Sequence, residues 1–300
     1  MTRFTSHTFA TGEIDLHYME GGKSDGPLLL FLHGFPEYWA GWQPVMERLG
    51  DAYRVIAPDQ RGYGKSSMPT GVDAYEIKPL VRDIVALGDH VSPDQPFVLC
   101  GHDWGSAVAY SYAFAFPNRV SRLVVANGVH PIPFQKALFA ADDQTKASQY
   151  MSWLRADGSE AALAKDGFEL LFNMFEKFST ANWLDEETKS AYRAAWGDEA
   201  RVGAMVNWYR ASSMVVPKPD ASPRELPITD DMLERYRVRM PHLLIWGLQD
   251  GALLPATNEG LEQFCADLKR VEIEDGSHWV IHEHPERVAE AIRSWLSDHS

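Results

Sequence analysis

The chain has 300 residues, of which 45% are apolar and 23% charged, and its formal net charge at pH 7 is −14. This length is enough for one large domain or two smaller ones with a substantial buried core. The acidic balance argues against nucleic acid and anionic membranes as partners, because both bind basic patches on protein surfaces.

Targeting and redox features of the sequence predict a cytoplasmic protein. Residues 1–22 hold no apolar signal segment, and no apolar run reaches the ~18 residues that cross a membrane. The two cysteines, Cys100 and Cys265, lie in an apolar run and in a helical pattern. Two reduced thiols in the cytoplasm fit this usage better than a single disulfide.

The predicted strands and helices alternate along much of the chain. Residues 6–22 alternate around Thr11 and Gly12, which predicts an antiparallel hairpin at a sheet edge. Later apolar runs, each closed by Gly or Asp, favour buried parallel strands, and helical patterns separate them. The sequence therefore predicts an α/β fold with a doubly wound, mostly parallel sheet. The apolar runs are 27–34, 53–59, 96–103, 121–128 and 242–247, and the helical patterns lie around 39–49, 76–90, 105–116 and 286–297.

Residues 131–239 interrupt this alternation. The segment is helical in pattern, rich in Ala, Trp, Tyr and Met, and contains the proline-rich stretch 215–227. We interpret it as a helical insertion between two strands of one sheet, with residues 1–130 and 240–300 forming the core. Because ligands bind at the carboxyl edge of such sheets, the insertion is expected to cover that edge as a lid.

A glycine-flanked turn follows the third apolar run. Gly101-His102-Asp103-Trp104-Gly105 joins a predicted strand to a predicted helix and has the form of a nucleophile elbow, with Asp103 at its apex. The glycines allow a sharp turn, and the helix N-terminus supplies N–H groups beside the apex. The alternative interpretation is an ordinary turn in which Asp103 caps the helix.

The loop after the first long strand predicts half of an oxyanion hole. His33-Gly34-Phe35-Pro36 closes that strand, so the backbone N–H of Phe35 can lie beside the elbow. The N–H of Trp104 is the second candidate donor. An ordinary turn built from Gly and Pro is the alternative.

Two later segments supply candidates for a histidine base and its acid. Gly276-Ser277-His278-Trp279 precedes the last helix, and Asp250 follows the strand 242–247. The chain order Asp103, Asp250, His278 matches nucleophile, acid and histidine in a catalytic triad. His282 and His284 lack zinc-site spacing and are expected at the surface or at a helix cap.

The sequence resembles α/β-hydrolases of the epoxide hydrolase branch over essentially its whole length. The elbow alone is not specific, since haloalkane dehalogenases have nearly the same one. The resemblance implies an Asp103 nucleophile, a His278–Asp250 pair and a ring-opening tyrosine at Tyr209. Tyr150 is expected as the second tyrosine, with Tyr112 or Trp153 as alternatives. The motifs that carry the resemblance are HGFPEYW (33–39), APDQRGYGKSS (57–67), GHDWGSAVAY (101–110), NWYRA (207–211) and GSHW (276–279).

A carboxylate nucleophile suits attack on saturated carbon. Asp103 is ionised at neutral pH, so it can open an epoxide directly and form an alkyl ester. His278, oriented by Asp250, then activates water to hydrolyse that ester, with the oxyanion at the N–H groups of Phe35 and Trp104. The expected product is a vicinal diol, and no metal or cofactor is required.

Two other classes of function are alternatives: a dehalogenase and a non-catalytic binder of the same fold. Haloalkane dehalogenases usually place a second donor, often Asn, where this chain has Phe35. Fluoroacetate dehalogenases place arginines where this chain has Trp104 and Ala107. A non-catalytic binder would have no use for an intact nucleophile and base. Epoxide hydrolysis is therefore the favoured function.

Aromatic residues near these motifs suggest a hydrophobic epoxide, such as an aryl epoxide, as substrate, with water as the second reactant. A core position is the commoner outcome for aromatics at helical spacing. We expect a monomer or homodimer that binds neither nucleic acid nor membrane. The residues predicted to line the pocket are His33, Pro36, Trp39, Trp153 and Trp279.

Overall fold

A computed structural model describes residues 3–298 and confirms the predicted α/β architecture. Eight strands form one sheet in the order β1-β2-β4-β3-β5-β6-β7-β8. The β1–β2 and β2–β4 pairs are antiparallel, and the other neighbouring pairs are parallel. The strands are β1 (Thr5–Ala10), β2 (Asp15–Gly22), β3 (Leu28–Leu32), β4 (Arg54–Pro58), β5 (Phe97–His102), β6 (Val120–Ala126), β7 (His242–Gly247) and β8 (Leu268–Ile273).

The central strands are apolar throughout because helices cover both faces of the sheet. In β3, Leu30 and Leu32 face the layer of α2 (Ile77–Val91) and α3 (Trp104–Ala115). Leu29 and Phe31 face the opposite layer, since successive strand residues point to opposite faces. The α-helices in chain order are α1 (Gln43–Leu49), α2, α3, α4 (Pro131–Phe139), α5 (Asp143–Ala147), α6 (Gln149–Arg155), α7 (Ser159–Ala164), α8 (Glu169–Lys177), α9 (Glu186–Trp196), α10 (Glu199–Ala211), α11 (Asp230–Arg235), α12 (Val280–Glu283) and α13 (Pro285–Asp298).

The helices α4 to α11 lie between β6 and β7 in the chain, within the segment predicted as a helical insertion. Its predicted boundaries at residues 130 and 240 stay a prediction. Side-chain hydrogen bonds attach the insertion to the core at separate places. The indole N–H of Trp196 donates to the carbonyl of Pro36 at 2.6 Å, and that of Trp208 donates to the carbonyl of Arg61 at 3.0 Å. Glu283 accepts a hydrogen bond from the N–H of Thr180 at 2.6 Å.

Two findings concern the environment of the chain. Among residues 3–298, no helix is both long and apolar enough to cross a membrane. Cys100 is buried and Cys265 is partly buried, and both are free thiols.

Candidate active site

The elbow holds Asp103 between the end of β5 and the start of α3. Its backbone has φ 48° and ψ −121°, a strained conformation for a residue with a Cβ. Gly105 permits the close packing, because a Cβ there would collide with the backbone oxygen of Leu32. The Asp103 side chain makes no capping hydrogen bond to α3, so the helix-cap alternative does not describe this residue.

The carboxylate of Asp103 lies between the predicted oxyanion loop and the predicted base. Its Oδ1 accepts a hydrogen bond from the N–H of Phe35 at 2.7 Å. Its Oδ2 lies 3.7 Å from Nε2 of His278. Trp104 is the first residue of α3, so its N–H has no partner within the helix. The elbow thus brings a carboxylate, a histidine and two backbone donors to one edge of the sheet.

His278 is oriented by Asp250, as the chain order suggested. His278 Nδ1 lies 2.8 Å from Oδ2 of Asp250. The other oxygen, Oδ1, accepts hydrogen bonds from the N–H groups of Ala252 and Leu253, both at 2.8 Å. Burial alone would raise the pKa of Asp250, but His278 and these hydrogen bonds outweigh it and lower that pKa. Because the carboxylate accepts from Nδ1, Nε2 of His278 faces Asp103.

Asn127 completes this arrangement, and sequence reasoning missed its role. It follows β6 with φ 37°, and its Nδ2 donates to Oδ2 of Asp250 at 2.8 Å. Its Oδ1 accepts from the N–H of Gly247 at 2.8 Å. The sequence signal was its position directly after a strand at the carboxyl edge. Asn127 therefore fixes the position of the Asp250 carboxylate.

The histidine carries a proton in the resting site. Burial would lower the pKa of His278, but the carboxylates of Asp250 and Asp103 outweigh burial and raise it to about 10. An imidazolium cannot act as a base. Loss of the negative charge on Asp103 would favour the neutral ring, because that charge helps to hold the proton.

The Asp103→Asn substitution is expected to lower the pKa of His278, since it removes one of the two carboxylates. The stabilisation from this raised pKa is complete below the unfolded-state pKa of about 6.5 and is lost as pH rises towards 10. In the variant, the loss still begins near the unfolded-state pKa but ends at a lower pH, so less stability is lost in total. NMR titration of the histidine ring measures the pKa, and urea unfolding from pH 6 to 10 measures the stability. An unchanged pKa in the variant would contradict this electrostatic account.

The two predicted tyrosines meet on the other side of Asp103. Tyr209 in α10 contacts Phe35 and Trp104 edge-on, with ring centroids 5.1 and 5.2 Å apart. The ring of Tyr150 in α6 lies 6.2 Å from that of Tyr209. Burial, together with the negative charge of Asp103, raises the pKa of both phenols. Both therefore remain protonated donors at neutral pH.

A cavity of about 460 Å³ connects these groups. Asp103, Tyr150 and Tyr209 line it together with mostly apolar side chains from α2, α3 and the insertion. Three of its lining residues, Glu76, Ile77 and Ser213, are exposed to solvent. A larger groove of about 620 Å³ lies between β8 and α13, but none of these reactive groups lines it. The apolar lining includes Leu80, Trp104, Ala107, Phe114, Val129, Pro131, Phe134, Met151, Trp208, Ala211, Met214 and Leu253.

The structure places the five residues predicted to line the pocket outside the lining of this cavity. Trp153 is 45% exposed on α6, and Trp279 packs against Phe175 at 4.6 Å. Trp39 lies against Phe4, with ring centroids 5.6 Å apart. Residue type indicated aromatic surroundings, but the direction of each side chain depends on tertiary packing.

His33 and Pro36 take part in hydrogen bonds that fix the conformation of the loop carrying the Phe35 N–H. His33 Nδ1 donates to the carbonyl of Gly34 at 2.9 Å, and Nε2 accepts from the N–H of Gln60 at 3.0 Å. The carbonyl of Pro36 is occupied by Trp196. Tyr112, the alternative to Tyr150, packs against Phe97 in the core.

The site is built from side chains and backbone donors of this chain. Within the described range 3–298, no group of three or more His, Cys, Asp or Glu residues is arranged to hold a metal ion.

Sequence comparison places this geometry in a known family. Residues 27–285 match the family of the alpha/beta hydrolase fold. The chain belongs to the α/β-hydrolase family. The AB hydrolase superfamily protein YfhM of Bacillus subtilis is 33% identical over 96% of both chains. Epoxide hydrolase 1 of Caenorhabditis elegans is 32% identical over 95% of this chain and 68% of its own length.

Solved structures of α/β-hydrolases support the same assignment. An epoxide hydrolase from metagenomes of hot environments superposes with a TM-score of 0.86 at 35% identity, covering 98% of this chain and 99% of its own. The Bacillus megaterium epoxide hydrolase, solved with an inhibitor, has a TM-score of 0.84 at 27% identity, covering 97% and 100%. The resemblance to the epoxide hydrolase branch of the α/β-hydrolases is thereby confirmed.

Proposed function

We propose that this α/β-hydrolase opens epoxides to vicinal diols through an ester on Asp103. The observation that carries the proposal is the pairing of the Asp103 carboxylate with two phenols, Tyr150 and Tyr209, in one cavity. The carboxylate supplies a nucleophile for saturated carbon, and the phenols supply donors for the oxygen that leaves it. Epoxide hydrolases among the relatives and structural neighbours support the same function.

In the first step, an Asp103 oxygen attacks one epoxide carbon. The carbon–oxygen bond of the ring breaks, and its electron pair goes to the epoxide oxygen. A phenol of Tyr209 or Tyr150 hydrogen-bonds that oxygen and gives it a proton as the alkoxide forms. The enzyme then holds a hydroxyalkyl ester of Asp103 and one tyrosinate.

Ester formation removes the negative charge of Asp103 and so favours neutral His278, whose proton passes through solvent to the tyrosinate and restores the phenol. In the second step, neutral His278 is the base. His278 Nε2 takes a proton from water, and the resulting hydroxide attacks the ester carbonyl carbon. The N–H groups of Phe35 and Trp104 stabilise the oxyanion. Collapse of this intermediate breaks the ester, and the departing alkoxide takes up the second proton of the attacking water. The diol leaves, and the Asp103 carboxylate and the protonated His278 of the resting site are restored.

The cavity favours a hydrophobic substrate, because apolar side chains dominate its lining. Aryl and medium alkyl epoxides fit a volume of about 460 Å³. The proposal includes a cofactor-independent enzyme, monomeric or homodimeric, that works in the cytoplasm. The free thiols of Cys100 and Cys265 support a reducing compartment.

A panel of aryl and alkyl epoxides, with matched chloroalkanes, tests the function. Diol formation from at least one epoxide, without halide release, is expected. Phe35 has no side-chain donor for a departing halide, whereas the two phenols suit an alkoxide. Halide release without diol formation would establish a dehalogenase instead. Formation of neither product would favour a non-catalytic binder.

Replacing Tyr209 with Phe is expected to slow ester formation by about 10²-fold or more, the usual contribution of a positioned proton donor. Tyr150→Phe is expected to act on the same step, and the double variant to lose more than either. Hydrolysis of a preformed ester should change far less. Rapid-quench single turnover separates the two steps. Tyr112→Phe is the matched control, because Tyr112 is buried outside the cavity lining. Equal slowing of both steps would contradict the assignment.

A further inference from the structure

Two arginines exchange hydrogen bonds between the helices that carry the two tyrosines. Arg155, the last residue of α6, donates through Nε to the backbone carbonyl of Tyr209 in α10 at 2.9 Å. Arg210, the next residue of α10, donates through Nη2 to the backbone carbonyl of Ala156, directly after α6, at 3.0 Å. Each helix therefore supplies a cation to the carboxyl end of the other. These two residues and their bonds form the arginine exchange.

The carbonyls that accept these bonds lie where the helices themselves provide no good partner. The last four carbonyls of a helix have no N–H one turn further on. The carbonyl of Tyr209 is in the final turn of α10, and the backbone N–H that reaches it, from Ser212, is 3.3 Å away. The negative end of the helix dipole also favours a guanidinium at this position. The arginine exchange thus fixes the turn from which Tyr209 projects.

Further bonds restrict the arginines themselves. Nη2 of Arg155 donates to the carbonyl of Met214 at 2.8 Å, so its planar fork holds two carbonyls around the end of α10. Arg210 forms an ion pair with Glu160 in α7, and its Nη1 donates to Oδ1 of Asn207 at 3.3 Å. Arg155 is partly buried, and the side chain of Arg210 is 16% exposed. Both guanidinium groups are therefore held in one orientation.

We propose that the arginine exchange is a positioning device for the proton-donating phenols of Tyr150 and Tyr209. Neither arginine lines the cavity, so each acts through the tyrosine helices and not on the substrate. By joining α6 to α10, the exchange keeps the two rings 6.2 Å apart around the place of the epoxide oxygen. The role in ring opening rests on the proposed function, whereas the coupling of the two helices does not.

Precise placement matters most in the step that uses the phenols. A displacement of roughly 1 Å at a reacting group can cost about 10²-fold in rate. Ester formation needs a phenol within hydrogen-bond reach of the epoxide oxygen. Ester hydrolysis needs Asp250 and His278, which belong to loops after β7 and β8 and make no hydrogen bond to either arginine. Loss of the exchange should therefore affect the first step alone.

With an epoxide that is turned over, Arg155→Gln is expected to slow ester formation by about tenfold. Ester hydrolysis should stay within about twofold of the unaltered enzyme. Arg210→Gln is expected to act on the same step. Rapid-quench single turnover separates the two rates. Arg201→Gln is the matched control, because Arg201 also lies in α10 and donates to a backbone carbonyl, that of Ser66 at 3.1 Å, but at the other end of the helix.

The conservative substitution Arg155→Lys is expected to restore part of the rate. Lysine keeps a cation at the end of α10, but its single ammonium group cannot hold two carbonyls as a planar fork does, so ester formation should remain slower by about threefold. This variant also keeps the test decisive if Arg155→Gln does not fold, which circular dichroism and urea unfolding establish. A rate for Arg155→Lys equal to that of the unaltered enzyme would overturn the proposal.

Fluorine NMR tests the positions of the phenols without turnover. In protein labelled with 3-fluorotyrosine, Tyr→Phe variants assign the resonances of Tyr150 and Tyr209. Arg155→Gln and Arg210→Gln are expected to shift and broaden both resonances, whereas Arg201→Gln should leave them in place. Tyr112 is the internal control, because its ring packs against Phe97 in the core.

The two measurements separate this proposal from the proposed function. Displaced tyrosine resonances in a protein that converts no epoxide would retain the coupling of the helices and reject the epoxide hydrolase. Diol formation with unmoved resonances in both arginine variants would overturn the positioning role. Equal slowing of both chemical steps, or slowing that Arg201→Gln reproduces, would show a merely structural role and would also overturn it.

Discussion

Replacing Asp103 with alanine is expected to abolish diol formation, with a loss of at least about 10⁴-fold, as for the removal of other covalent nucleophiles. Without this carboxylate, no ester forms and water must attack the epoxide unaided. The fold should survive, because the Asp103 side chain makes no capping hydrogen bond to α3. The backbone strain at φ 48° is much the same for aspartate and alanine. Asp94→Ala is the matched control, since Asp94 is an exposed carboxylate remote from the cavity lining.

Isotope labelling identifies the attacking atom. In a single turnover in H₂¹⁸O, the first diol should carry oxygen from Asp103, and the label should remain in the Asp103 carboxylate. Mass spectrometry of the peptide that contains Asp103 measures this. Label found at once in the diol, with Asp103 unlabelled, would show direct attack by water and end the covalent mechanism.

The His278→Gln variant is expected to trap the ester. Ester formation needs Asp103 and a phenol, whereas ester hydrolysis needs the base, so only the second step loses its catalyst. Turnover should fall by about 10²–10⁴-fold, the usual contribution of general base catalysis. Intact-protein mass spectrometry should show one adduct per chain with the mass of the whole epoxide.

The adduct must map to Asp103, and a double variant with Asp103→Ala should show none. Asp250→Asn is expected to slow ester hydrolysis as well, because it removes the group that orients the imidazole. His284→Gln is the matched control, since His284 follows α12 and lies outside the triad. A folded His278→Gln protein that turns over normally would contradict the role of the base.

Much of the fold and of the triad was predictable from local sequence. Apolar runs identified the buried strands because helices cover both sheet faces. Asp103 and Asp250 follow β5 and β7, and parallel strands bring such positions to one edge of the sheet. The location of reactive residues therefore depended on strand ends that could be read directly.

The lining of the cavity could not be predicted in the same way. Side chains in the helical insertion face inward or outward according to how short helices pack on one another. Trp153 was expected in the pocket and is exposed, whereas Met151, two residues earlier, lines the cavity. Residue type alone does not distinguish these two positions.

The contacts of buried Glu37 with His102 and His282 could not be predicted for a different reason. Glu37 and His282 are 245 residues apart in the chain, and no local pattern links them. The expectation of a surface position for His282 followed from its polarity. A buried histidine is stable here because a carboxylate from another loop accepts its N–H.

The attachment of the helical insertion affects how substrate enters the cavity and how product leaves it. Hydrogen bonds at three separate places attach it to the core, through Trp196, Trp208 and Glu283. These contacts disfavour a hinged opening of the whole insertion. Epoxide and diol are then expected to enter and leave where the cavity lining is exposed to solvent, beside Glu76, Ile77 and Ser213. The width of that opening would then select substrates by their cross-section before they reach Asp103, whose carboxylate contacts only the reacting carbon.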